Sequence, residues 1–161
     1  MDGSGSLETR SMNNRAIAFR LRQTTGGLSR VVGYEKWYPG ELHKEGYWVA
    51  KSRWLYSKDR LYWNPDSIYH DAKDQAIGLN DKLGNPIFEG DILKPTRHKE
   101  LAVVEWSNLG SWMRHPYPNK KGVSFFMTDG QDGIDPDMKL HYQEVVGNVY
   151  ETPEFMDEYK P

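Results

Sequence analysis

No segment of the chain keeps its apolar residues at a helical spacing over the length of an ordinary helix. Short runs rich in aromatic and β-branched residues occur instead, and nine prolines and 15 glycines interrupt them. Aromatic and β-branched residues favour strands, whereas proline and glycine disfavour helix interiors. We therefore expect an all-β fold, a compact domain of many short antiparallel strands with little helix.

Individual segments give more local predictions. Apolar residues occupy every second position between Arg15 and Arg22, which is the period of a half-buried strand. Thr25-Gly26-Gly27 predicts a turn, and Arg60-Leu61-Tyr62-Trp63 predicts a strand. Leu101–Trp106 is the most strand-like segment, while Asn108–Gly122 reads as a loop because of its prolines and glycine.

The composition supports one folded domain. Aromatic residues make up 13% of the 161 residues, and each buried ring removes a large area from water. Residues 1–11 are small, polar and aperiodic, so we interpret them as a disordered leader or cloning remnant ahead of Met12. We expect the folded domain to span residues 12–155, with an acidic C-terminal tail at residues 156–161.

The charge argues against one class of protein, and the cysteine content excludes others. The formal net charge is −2, whereas a protein that binds through phosphate contacts normally has a clear basic excess. The chain has no cysteine, so disulfides and thiolate metal sites are excluded. No apolar run approaches the roughly 20 residues of a membrane span. We expect a protein of the cytoplasm that has no membrane partner.

The acidic residues offer a metal site or an acid–base pair as alternatives to a solvated turn. Glu89 and Asp91 would share one face of a continuous strand, and with Asp81 or Glu144 they could supply oxygen ligands to a divalent cation. No metal-binding motif supports this, and paired acids are common in a chain with 23 of them. We therefore predict no metal, no cofactor and no catalytic residue.

Two segments alternate rings with cations. On an exposed sheet the rings could stack on unpaired bases while the cations contact phosphates, as in proteins that bind single-stranded nucleic acid. The alternative is that the rings lie in the core or at a subunit interface, where Trp and Tyr are also favoured. The candidate residues are Trp48, Lys51, Arg53, Trp54, Arg60 and Trp63.

Two blocks of sequence resemble a known family. Residues 75–93, QAIGLNDKLGNPIFEGDIL, are similar to the block QYTGLKDKNGKEIYEGDIV of YopX-family phage proteins. Residues 144–155, EVVGNVYETPEF, are similar to the family's closing EVIGNIYENPEL. The family's opening FRxW pattern is met at Phe19-Arg20, but Arg22 stands at the place of the tryptophan.

The resemblance implies an all-β, oligomeric phage or prophage protein with no established activity and no catalytic residues to carry over. The motif residues are then structural: Gly84 suits a turn with positive φ, and Gly90 suits a tight turn or bulge. The turn at Gly90-Asp91, followed by two strand-like segments, also resembles the hairpins of a small SH3-like barrel. The motif positions are Gly78, Leu79, Asp81, Gly84, Glu89, Gly90, Asp91, Gly147, Asn148, Tyr150, Pro153 and Glu154.

These observations predict a non-catalytic binding protein that assembles into a homo-oligomer and buries part of its aromatic surface between subunits. Binding of single-stranded nucleic acid is the first alternative. The second is a phage accessory protein that docks on a host or phage protein, for which the acidic segment Glu151–Glu158 would suit a basic partner.

Overall fold

A computed structural model describes residues 18–95, 101–106, 112–117, 125–126 and 143–152 of the chain. The expected leader at residues 1–11 and the acidic tail at residues 156–161 lie outside these ranges. The described residues contain strands and turns and no helix, so the all-β prediction is confirmed. The strands are β1 (Ala18–Thr25), β2 (Leu28–Tyr38), β3 (Glu41–Leu42), β4 (Trp48–Ala50), β5 (Arg53–Ser57), β6 (Ala72–Asn80), β7 (Pro86–Phe88), β8 (Asp91–Pro95), β9 (Leu101–Trp106), β10 (Trp112–Tyr117), β11 (Phe125–Phe126) and β12 (Gln143–Asn148).

The first five-stranded sheet has the antiparallel order β5-β2-β1-β6-β7. Its centre is the hairpin of β1 and β2, which turns at Gly26 and Gly27 with φ of 59° and 80°. The predicted turn is confirmed, because these values are in the left-handed region that glycine adopts without steric cost. The register of β1 on β2 shifts between Leu21 and Arg22, so a bulge lies in the middle of the sheet.

The hairpin of β2 and β5 continues beyond the sheet as the short ribbon of β3 and β4. Tyr38 pairs with Arg53 at the end of the sheet, and Glu41 pairs with Ala50 at the start of the ribbon. A Cβ on Gly40 would stand 2.6 Å from the carbonyl oxygen of Ala50, so the two backbones approach too closely there for any other residue. We call residues 41–50 the arm.

The second five-stranded sheet has the order β11-β10-β9-β8-β12, again antiparallel. Strand β10 lies within the segment predicted as a loop, and that prediction is wrong because all six residues of β10 pair with β9. The expected SH3-like barrel is not confirmed. None of the described residues forms a helix long and apolar enough to cross a membrane.

The described core joins the end of the first sheet to the middle of the second. One cluster consists of Ile77, Ile87, Leu93 and Val104, with Leu79 and Val145 packed against it. A second cluster consists of Ile92, Leu101 and Val103, with Val146 and Val149 against it. Strand β8 contributes to both clusters with successive residues, because it is buried on both faces.

The strand predicted at Arg60–Trp63 is a loop in the structure. Asp59 Oδ1 accepts hydrogen bonds from the backbone N–H groups of Leu61 and Tyr62, at 2.8 and 3.1 Å. Ser57 Oγ accepts another from the N–H of Arg60, at 2.9 Å. Such local side-chain acceptors compete with strand pairing, which explains why the aromatic composition was misleading.

Candidate functional site

A cluster of buried charges connects three separate parts of the chain. Arg20, on β1, is 5% exposed, and its Nε donates to Asp74 Oδ2 on β6 at 3.0 Å. Its Nη1 donates to Asp91 Oδ1 on β8, and its Nη2 donates to the carbonyl oxygen of Glu89 at 3.0 Å. The planar guanidinium thus holds β1, β6 and the turn before β8 in one arrangement.

Arg22 completes the cluster and brings in the C-terminal segment. Its Nη2 lies 2.9 Å from Asp74 Oδ1, and its Nη1 donates to Ser29 Oγ at 2.6 Å. Its guanidinium carbon lies 3.4 Å from the centroid of the Tyr150 ring. We call Arg20, Arg22, Asp74 and Asp91 the charge cluster; its two positive and two negative charges balance.

The carboxylates of the charge cluster keep the Arg20 guanidinium charged. Burial alone would lower the pKa of Arg20, but the ion pairs and hydrogen bonds to Asp91 and Asp74 outweigh it and raise that pKa above the ordinary value. Burial raises the pKa of Glu89, and the carboxylates of Asp74 and Glu105 raise it further, while Arg22 opposes them. Burial likewise raises the pKa of Asp91, against the opposing effect of Arg20, so the surroundings favour the protonated form of both acids relative to their ordinary pKa.

Glu89 and Asp91 do not share one face as the metal hypothesis required. Gly90, with φ of 83°, turns the chain between them, and Asp91 Oδ2 accepts a hydrogen bond from the N–H of Phe88 at 2.8 Å. The Asp91 carboxylate therefore binds the Arg20 side chain and the backbone of its own turn. Within the described ranges, no group of three histidine or acidic residues is placed to hold a metal ion.

Asp81 connects the two sequence blocks that resemble the family motif. Its Oδ1 accepts hydrogen bonds from the N–H groups of Leu83 and Asn85, at 2.9 and 2.8 Å. Its Oδ2 accepts one from the N–H of Val145 on β12, at 3.0 Å. Burial raises the pKa of Asp81, but these hydrogen bonds outweigh it, so the pKa lies below its usual value and the side chain stays ionised.

Asn148 orders the turn that follows β12. Its Oδ1 accepts hydrogen bonds from the N–H groups of Tyr150 and Glu151, at 3.0 and 2.9 Å. Glu151 Oε2 in turn accepts a hydrogen bond from the N–H of Val31 on β2, at 2.9 Å. The closing motif is therefore attached to the first sheet as well as to the second.

The remaining described motif positions lie in a turn, in the core or in paired strands. Gly84 is in a turn with φ of 83°, as predicted, and Gly78 has φ of 82° where the pairing of β6 with β7 is irregular. Leu79 packs against the core, and Gly147 pairs with Ile92. The last two motif positions, Pro153 and Glu154, lie outside the described residues.

Two of the six candidate nucleic-acid residues are packed against other side chains. The Trp54 ring lies 5.3 Å from that of Trp37 and 6.1 Å from that of Phe19. The ammonium nitrogen of Lys36 lies 4.1 Å from the centroid of the Trp63 ring. Lys36 and Trp37 are neighbours on β2, so their side chains point to opposite faces of the sheet. Trp54 and Trp63 therefore do not share a surface.

The other four candidates are exposed, and three of them lie at the arm. Trp48 is on β4, and Lys51 and Arg53 follow where the arm joins the sheet. Arg60 lies on the loop after β5, with its guanidinium carbon 5.2 Å from the centroid of the Tyr34 ring. Trp48, Lys51 and Arg53 are therefore neighbours along the chain at the arm and its base, whereas Trp63 lies on the loop after β5.

Sequence reasoning did not find Arg22 and Asp74 as partners in a buried cluster. A period-two pattern assigns Arg20 and Arg22 to the polar face of a half-buried strand, and nothing in the local sequence shows that this face is covered as well. The only signal was the match of Phe19-Arg20 to the opening of the family pattern.

Comparison with known protein families gives a match that covers most of the described residues. The family model described as YopX protein matches residues 49–157, which is more than half of the chain. The match contains both motif blocks and begins within β4, so it includes Asp74 and Asp91 but neither arginine of the charge cluster. No curated protein matches the chain.

Proposed function

Because the chain belongs to the YopX protein family, we propose that it is a non-catalytic binding protein that assembles with further copies of itself through its arm. The observation that carries the proposal is the exposure of the arm's apolar residues. Leu42, Tyr47, Trp48 and Val49 are each more than half exposed, with Trp48 at 56%. Contiguous apolar surface of this kind marks interaction sites on folded proteins.

The construction of the arm supports an interface. A two-stranded ribbon is marginally stable alone in water, and the five strand residues of β3 and β4 make a very short one. His43 stacks on Tyr47 with ring centroids 4.4 Å apart, which orders the tip. Tyr and Trp are the residues that most often anchor interfaces, because they bury large areas with few rotatable bonds.

The charges beside the arm favour a second copy of the same chain as the partner. Glu41 and Glu45 are exposed on the arm, and exposed Lys44 lies between them with Lys51 at the arm's base. In a two-fold interface the same patch meets itself in reverse, so a patch that carries both signs can set acids of one copy against bases of the other. The mixed signs suit that arrangement better than a polyanionic partner.

The charge cluster supports binding over acid–base catalysis. Asp74 and Asp91 are nearly fully buried, and both are engaged by arginine side chains. Carboxylates held this way serve to orient strands and are not available to a substrate. We propose the cytoplasm of a bacterial host as the place of this activity, and the resemblance to phage proteins supports it.

Native mass spectrometry of the protein as purified from cells, without a high-salt wash, tests the proposal. We expect a sharp multiple of the subunit mass for the natural chain and a monomer for Trp48→Glu, because the substitution puts a charge into the interface. Leu83→Glu is the matched control: Leu83 is 64% exposed on the turn between β6 and β7, so its substitution should leave the assembly intact. Both variants should keep the far-UV circular dichroism spectrum of the natural chain, which shows that they fold.

Three results would overturn the proposal. A natural chain that stays monomeric at micromolar concentration removes self-assembly. Excess mass that nuclease removes, with affinity that falls steeply with salt, assigns Trp48, Lys51 and Arg53 to single-stranded nucleic acid. A stoichiometric complex with a host or phage protein that Trp48→Glu abolishes assigns the arm to that partner.

A further inference from the structure

A cleft of about 260 Å³ opens beside the charge cluster, independently of the arm. Strands β1, β2, β7, β8 and β12 contribute to it, together with the loop after β5. Tyr34, Phe88, Pro86 and Val145 supply rings and apolar groups to a wall whose exposed surface is more polar than apolar. The rings of Tyr34 and Phe88 are 5.8 Å apart and tilted by 41°.

Arg60 carries the uncompensated charge of this cleft. Arg20 and Asp91 also line it, but they neutralise each other in the charge cluster. In the part of the chain that the structure describes, no carboxylate lies within ion-pair distance of Arg60. A concave site with a single unpaired cation favours a ligand with a single negative charge.

The backbone of Arg60 is held in a conformation that costs energy. Its φ of 67° makes it the one described residue other than glycine with a positive φ. The hydrogen bond from its N–H to Ser57 Oγ holds it from one side, and its carbonyl oxygen accepts a hydrogen bond from Trp63 Nε1 at 3.1 Å. Strain retained by such surroundings is concentrated at binding sites, where it fixes a side chain in advance of the ligand.

We propose that this cleft binds a small organic molecule that carries one carboxylate on an aromatic or aliphatic body. The guanidinium of Arg60 presents paired N–H donors that match the two oxygens of a carboxylate. Tyr34, Pro86 and Val145 offer apolar contact to the body of the ligand, and Phe88, which is 5% exposed, packs against the Tyr34 ring. The volume lies just below the usual range for ligand pockets of about 300–1,000 Å³, which selects a molecule smaller than a nucleotide.

Benzoate is a suitable probe, with benzamide as its neutral isostere, and binding to the full chain can be measured by calorimetry or ligand-observed NMR. We expect saturable binding of benzoate and binding of benzamide about tenfold weaker or more, because the amide loses the charged hydrogen bonds. Inorganic phosphate is measured alongside as the competing oxyanion.

The informative variant is Arg60→Gly. Glycine adopts a positive φ without strain, so the variant should melt at the same temperature as the natural chain or higher, while losing about tenfold or more of the affinity for benzoate. Lys58→Ala is the matched control, since it removes one exposed charge from the same loop and should leave the affinity unchanged.

Absence of saturable benzoate binding to the natural chain overturns the proposal, as does equal binding by Arg60→Gly. Tighter binding of phosphate than of benzoate, lost in Arg60→Gly, overturns the carboxylate assignment and makes the ligand a phosphate. None of these outcomes depends on whether the arm mediates assembly.

Discussion

Arg20 is the residue on which the first sheet most depends, because it satisfies acceptors from three segments of the chain. Replacing it with methionine keeps most of the side-chain length but leaves Asp91 buried without a counter-charge. Breaking a buried ion pair from one side typically costs about 3–5 kcal/mol. We expect Arg20→Met to lower the free energy of unfolding in urea by about that amount, and Arg20→Lys to recover only part of it.

A surface ion pair provides the control for this prediction. Lys82 Nζ lies 3.2 Å from Glu144 Oε2, and both side chains are about one-third exposed. Exposed pairs contribute about 0–1 kcal/mol, so Lys82→Met should change the free energy of unfolding very little. Equal effects of Arg20→Met and Lys82→Met would contradict the importance assigned to the charge cluster.

How well single residues could be predicted depended on whether their role was local. The positive φ of Gly84 follows from turn chemistry within four residues, and the structure confirms it. The burial of Arg20 depends on Asp91, which is 71 positions away, and a period-two pattern carries no information about such a partner. Pairing between distant parts of the chain is what the sequence alone did not reveal.

At the scale of elements, the turn between β7 and β8 packs against the turn after β12. A Cβ on Gly90 would stand 2.8 Å from Cε2 of the Tyr150 ring, and the same ring covers Arg22. The first motif block therefore meets the second through a glycine that has two constraints, its φ of 83° and the ring against it.

The two constraints can be separated by substitution. Gly84→Ala meets only the backbone constraint, since nothing lies within 4 Å of its Cβ position, and should cost about 1–2 kcal/mol. Gly90→Ala should cost more because it also displaces the Tyr150 ring. In a double-mutant cycle measured by urea denaturation, Gly90→Ala and Tyr150→Ala should couple favourably by about 0.5–3 kcal/mol.

The cycle has its own control, because Gly84→Ala and Tyr150→Ala should be additive. Additivity of Gly90→Ala with Tyr150→Ala as well would mean that the ring does not constrain the glycine, contrary to the structure.

Element types were predicted correctly for some segments and wrongly for others. Strands β1 and β9 lie where alternation and β-branched content indicated strands. The loop after β5 was missed because Asp59 and Ser57 satisfy backbone donors locally, and β10 was missed because proline and glycine around it suggested a loop. The arm was not predicted as a unit, because it depends on the pairing of β3 with β4 and on the close approach of Gly40 to Ala50, which the local pattern does not show.

At the scale of the whole molecule, the residues that the family model matches do not include all strands of the folded unit. The match starts at residue 49, whereas β1 and β2 form the centre of the first sheet. A fragment of residues 49–157 lacks both arginines of the charge cluster and two of the five strands of that sheet. We expect it not to unfold cooperatively when heated, as followed by circular dichroism, while a fragment of residues 12–161 does.

A cooperative melting transition of the shorter fragment would contradict this prediction. It would mean that β6 and β7 find enough partners in the second sheet to fold without the first hairpin.

The position of β1 at the centre of its sheet also sets an order of events during synthesis. The hairpin of β1 and β2 can close within microseconds, but Arg20 needs Asp91, which the ribosome adds 71 residues later. At ordinary rates of translation the wait is on the order of 4 to 14 seconds. Asp74, 54 positions after Arg20, is made earlier and can pair with both arginines, so the arrival of Asp91 completes the charge cluster on a newly made chain.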